Sequence, residues 1–216
     1  MQKEVEIKLP TSYGDITLQK YLDLQNDLKN YADDEEAVSA AMLMHLCGLD
    51  PKYIRGLALD DYNSIRETLQ TFISNVELPL QRFITIEGVE YGFEPNLSKM
   101  AYGAFADITK YNEIAIDENW ANIMSILYRP IQRKKGDMYS IKPYTGEIDK
   151  QKFLNVGMDV HFGALFFLLN LLMDLMNAIL NSTMAMELPT NIKSILGRSG
   201  ELMQPLSNWH KGISLK

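Results

Sequence analysis

The chain has 216 residues, 46% of them hydrophobic and 10% aromatic, which is enough apolar surface for one large domain or two small ones. Charged residues make up 23%, beside 13 glycines and 8 prolines, a balance that excludes disordered and collagen-like classes. A net charge of −7 argues against a general nucleic-acid binder, because phosphate backbones need a basic face.

Glu4-Val5-Glu6-Ile7-Lys8-Leu9 alternates polar and apolar residues, which predicts a half-buried strand closed by Pro10 and a Ser12-Tyr13-Gly14-Asp15 turn. Leu18, Tyr21, Leu22, Leu24 and Leu28 then follow helical spacing behind the candidate caps Asp15 and Thr17. The acidic run Asp33–Glu36 opens a second helix through Ala37 to about Cys47, where negative charge suits the helix dipole. Gly48 ends it ahead of an Asp50-Pro51 turn. From Asp60 to Val76, Tyr62, Ile65, Leu69, Phe72, Ile73 and Val76 recur at three- and four-residue steps, an amphipathic helix.

Phe83–Ile86 and Glu90–Phe93 flank Glu87-Gly88-Val89, which predicts a hairpin. Asn96 or Ser98 is placed to cap a helix through Met100, Phe105 and Ile108, and Asp117 another through Trp120, Ile123, Met124 and Leu127 that Pro130 stops. Residues 132–147 predict a basic loop followed by a short extended segment. Met158–Leu180 is apolar at helical length. It is interrupted by Asn170, Asp174, Asn177 and Asn181, which step by four, three and four and so form one polar stripe. The length would also cross a bilayer, but Asp174 inside a span is costly, so a central core helix is the expectation. These patterns predict an α+β protein, predominantly α-helical, a helical bundle with a small β-hairpin and strand element. Residues 1–184 form its single domain, and 185–216 form a tail ordered only by a partner.

Charge is uneven. Residues 1–127 carry 21 acidic and 10 basic side chains and residues 128–216 carry 7 and 11, an opposition that suits head-to-tail stacking of copies or, more simply, two differently solvated faces. Cys47 is the one cysteine, so no intramolecular disulfide forms, and Met1-Gln2-Lys3-Glu4 opens no apolar signal stretch; synthesis in a reducing cytosol is expected.

Candidate chemistry is sparse. His45 and Cys47 stand two apart and cannot share a helix face, and His161 and His210 stand alone, so no zinc set of three or four ligands is spelled out. A free Cys47 reads as a packed thiol. No P-loop, Gly-x-Ser-x-Gly elbow or His-Glu-x-x-His helix is present. Arg129, Arg133, Lys134 and Lys135 cluster, which keeps a loop solvated or touches an anionic surface. Twelve methionines suit a core that tolerates more than one packing. We therefore expect a protein that is not an enzyme, with no catalytic, cofactor-binding or metal residue.

Leu9-Pro10-Thr11-Ser12-Tyr13-Gly14-Asp15-Ile16-Thr17-Leu18-Gln19-Lys20-Tyr21, Glu90-Tyr91-Gly92-Phe93-Glu94-Pro95-Asn96-Leu97 and Leu127-Tyr128-Arg129-Pro130-Ile131 together resemble a family of small virion-associated proteins of tailed bacteriophages, including the crAss-like phages of gut Bacteroidetes. The resemblance covers roughly the first two-thirds of the chain and lies in turns, a hairpin and a helix stop. It implies a cargo protein, made in the host cytoplasm, stored in the capsid interior and tail of the virion and ejected at infection. It also implies self-association in multiple copies and contacts with other virion proteins such as the tail barrel and portal. No cofactor or specific nucleic-acid binding is implied; membrane contact would come only after ejection. A tail-assembly chaperone or scaffold, or a tail structural protein, is the alternative.

Overall fold

A computed structural model of the chain describes residues 7–31, 34–73, 78–111 and 114–182. Within them lie eight α-helices and four strands, an α+β architecture with helices dominant. Helix α1 (Leu18–Asn30) starts where the Thr17 hydroxyl accepts the Lys20 N–H, and it buries Leu18, Tyr21, Leu24 and Leu28 at the predicted spacing. Helix α2 (Glu35–Cys47) starts at Asp34, whose Oδ1 accepts the Ala37 N–H at 3.0 Å, and ends at Gly48. The expected Asp50-Pro51 turn is a one-turn helix, α3 (Pro51–Ile54), capped by Asp50. Helix α4 (Leu59–Ile73) follows.

Strands β1 (Phe83–Ile86) and β2 (Val89–Phe93) form the predicted hairpin. Its loop is tighter than expected. Val89 already pairs with Ile86, leaving Glu87 and Gly88, both at positive φ, as the two-residue loop of a type I′ geometry. A single 3₁₀ turn (Leu97–Lys99), α5 (Tyr102–Thr109) and α6 (Trp120–Leu127) intervene before β3 (Tyr128–Lys135) and β4 (Met138–Ile141). The sheet is antiparallel throughout in the order β1-β2-β3-β4. Two short connections then lead through α7 (Lys150–Leu154) into α8 (Met158–Ser182).

One core joins the sheet to the helices. Ile84, Ile86, Tyr91, Phe93 and Tyr128 alternate onto the sheet's inner face and meet Trp120, Phe153 and Phe162, three side chains at most 2% exposed. Rings meet edge to face: Tyr13 and Tyr21 approach Phe162 at 5.3 and 5.5 Å, and Phe93 approaches Tyr128 and Phe167 at 5.2 and 5.5 Å. Gly163 allows the closest approach. A Cβ there would lie 2.5 Å from the Pro79 carbonyl oxygen, so only glycine lets the segment before β1 lie on α8.

Several expectations are corrected. Ile7–Leu9 are not in a strand; Glu4–Glu6 lie outside the described residues, as do Val76 of the fourth helix and the 185–216 tail. The helix through Phe105 starts at Tyr102, after Met100, without a side-chain cap from Asn96 or Ser98. Pro130 does not stop α6. The chain turns from helix to strand at Tyr128, and Pro130 sits inside β3 opposite Tyr91, next to the register irregularity between Ile131 and Arg133, the kind of place where a strand tolerates a missing N–H. The basic loop is a strand: Arg133, Lys134 and Lys135 pair with Ser140, Tyr139 and Met138. Gln132–Lys135 are exposed at every position, so this end of the strand is solvated on both faces and carries no period-two signal.

Candidate interaction surface

The groups singled out by the sequence are placed for structure. His45 Nε2 lies 2.7 Å from Asp27 Oδ2 and ties α2 to α1. Cys47, half-buried on the same helix, has its thiol pushed up to about 11 by burial, so it stays protonated and a poor nucleophile at neutral pH. His161 is fully buried. The Trp120 indole donates to its Nδ1 at 3.1 Å, and an indole nitrogen can only donate, so the imidazole is the neutral Nε2–H tautomer. That N–H donates to the Phe153 carbonyl at 3.1 Å. Desolvation pushes its pKa down to about 4, outweighing the carbonyls that favour the charged form. Among the described residues no group of three or more His, Cys, Asp and Glu is gathered as a metal set. His210 lies outside them.

The basic cluster is split. Arg129 turns inward to a buried ion pair with Glu94, Lys134 pairs with Glu90, and Arg133 and Lys135 point to solvent. It therefore presents no continuous basic face.

Helix α8 changes character along its length. As far as Leu169 it is a core helix, with Met158, His161, Phe162, Ala164 and Leu165 at 0% exposure. Past Leu169 the buried residues run out. Asn170, Asp174 and Asn177 form the expected polar stripe, the side chain of Asn181 lying outside the described ones, but Leu171, Met173 and Leu175 are 43%, 47% and 56% exposed, and within Asn170–Ala178 only Met176 is buried. The exposed sector is wider than a narrow solvated stripe on a buried cylinder. Met158–Ala178 is also the one described stretch long and apolar enough to cross a bilayer, a test that core helices pass too.

A second feature lies along β1. A groove of about 600 Å³ runs between the strand, with Gln81 and Phe83–Glu87 as one wall, and the α7–α8 corner, where Lys152, Asn155, Val156, Gly157 and Val160 form the other. Gln81 holds the corner by donating from Nε2 to Asp159 Oδ2 at 2.5 Å. Nothing in the sequence pattern marks this groove, since its walls come from segments some 70 residues apart.

Comparison with protein-family models, with curated proteins and with solved structures gave no match to this chain.

Proposed function

We propose that the protein is a non-catalytic bacteriophage virion component, a cargo stored in the capsid and tail and ejected into the host, and that it packs against copies of itself through the distal half of α8. One observation carries the interaction part of this reading: Leu171 and Leu175, four apart on one face, are exposed on a helix whose other half is core, with Met173 exposed across the polar stripe from them. Such a surface marks a contact site in a protein that must coexist with water. The virion assignment rests on the motif resemblance at 9–21, 90–97 and 127–131. Two groups that would have suggested chemistry are occupied instead by packing duties: His161 is a neutral core hydrogen-bonder and Cys47 a protonated thiol. The bundle arrangement of the helices belongs to the same proposal, with α1 packed between α2 on one side and α8 on the other as its members.

Quantitative proteomics of gradient-purified particles beside infected-cell lysate tests the reading. The expected result is enrichment in particles at many copies. Abundance in lysate with absence from particles would instead mean a tail-assembly chaperone or scaffold.

A further inference from the structure

The distal half of α8 carries three stripes. One continues the buried side of the proximal half from Leu165 through Leu169 to Met176, a second is the polar set Asn170, Asp174 and Asn177, and the third holds Leu168, Leu171, Leu175 and Ala178. Steps of three, four and three place these last four along one line, the apolar seam by which two helices pair with knobs in holes. Leu168 is half-buried at the edge of the core and the other three are exposed, so the seam starts at the body of the protein and runs about 15 Å out along the helix.

The seam has the same spacing in both directions. Leu171 and Leu175 stand two residues either side of Met173, and Leu168 and Ala178 stand five. A second α8 laid antiparallel with its Met173 level therefore sets Leu171 against Leu175 twice and Leu168 against Ala178 twice. The leucine at the crowded end, already packed on its own core, meets the smallest side chain of the seam. A parallel copy would instead set Ala178 on Ala178, leaving a gap, and Leu168 on Leu168, with the two enclosed proximal halves side by side.

Resting on the self-association reading above, we propose that α8 of one chain pairs antiparallel with α8 of a second copy in this register, a two-fold contact that closes at two chains. Each copy presents the same patch to the other, so the contact ends at a dimer rather than continuing as the head-to-tail stack that the uneven charge of the chain would suit. Asp174 lies on the polar flank of the seam, one residue from its midpoint, and in this register it faces Asp174 of the other copy. That repulsion keeps the pair weaker than its leucine layers alone would make it, and salt relieves it.

Disulfide trapping in the full chain, with Cys47→Ala removing the native thiol, tests the register. Leu171→Cys and Leu175→Cys are made in separate chains, one bearing a mass tag, then mixed and oxidised. The antiparallel pair predicts a mixed disulfide between positions 171 and 175 at about fivefold or more over either homodisulfide, because only facing positions come within disulfide reach. Homodisulfides in excess overturn it in favour of a parallel pair. Asp174→Asn, which keeps both leucines, should tighten the dimer about threefold at low salt and less at high salt; an unchanged dissociation constant overturns the register. Light scattering separates this pairing from the broader reading. A native dimer that gives no mixed disulfide and is indifferent to Asp174→Asn sinks the antiparallel register alone, and a mass above two chains sinks the two-fold closure. Single-chain mass throughout, with no disulfide above background, sinks self-association through α8 and this pairing with it.

Discussion

The two halves of α8 are both mostly apolar, nine of twelve residues in Met158–Leu169 and six of nine in Asn170–Ala178, but their surroundings differ. Met158–Leu169 is enclosed by the 13–15 turn, α1, the segment before β1 and the sheet, whereas Asn170–Ala178 has lost those neighbours while still carrying Leu171, Leu172, Met173, Leu175 and Met176. Apolar content thus sets how much surface a helix must hide, and the rest of the fold decides how much it does hide. What the fold leaves uncovered is the basis for an interaction role.

Stability measurements should separate the halves sharply. Phe162→Ala in the proximal half removes a fully buried ring that meets Tyr13, Tyr21 and Phe166, and should cost about 3–5 kcal/mol in urea unfolding. Next comes acid. His161 titrates near its ordinary 6.5 in the unfolded chain and at about 4 when folded, so between those values the unfolded chain binds the extra proton. Its contribution is present above pH 6.5 and is lost as pH falls towards 4, by about 3 kcal/mol in all. His161→Gln should flatten the difference between unfolding midpoints measured at pH 6.5 and pH 5. Gly163→Ala, whose Cβ would press on the Pro79 carbonyl, should cost about 1–3 kcal/mol. Away from α8, Glu87→Asn relieves a non-glycine residue held at φ 51 and should raise stability by up to about 1 kcal/mol, read as a higher melting temperature. Smallest of all, Leu175→Ala in the distal half should leave the unfolding free energy of the monomer within about 0.5 kcal/mol.

Legibility from sequence followed the same division. Helices α1, α2, α4 and α8 were readable because their starts and stripes are local: Thr17, one of two candidate caps, and Asp34, within the acidic run, accept first-turn N–H groups, and Leu18, Tyr21, Leu24 and Leu28 are the buried set. The first hairpin was readable from Gly88. The second was not, although Gly136 at its turn has the positive φ such turns use, because Arg133, Lys134 and Lys135 on a solvated strand look like a loop. Pro130 misled for a related reason. It signals that a helix cannot continue, but Leu127 and Tyr128 had already made the change to strand. The groove depends on contacts distant in sequence, since its walls are Gln81 and Phe83–Glu87 on one side and Lys152 to Val160 on the other. Pairing of His161 with Trp120 across 41 positions was equally invisible, so that histidine stood as an isolated candidate until its partners were in place.

The most direct test of the interaction role is the solution mass of the native chain, by light scattering across a concentration series, beside Leu171→Glu/Leu175→Glu. The account predicts a multiple of the single-chain mass for the native protein, reduced to one chain in the variant with the melting temperature held. A native protein that stays at one chain throughout, with the same mass in the variant, would contradict a self-association surface on the distal half of α8.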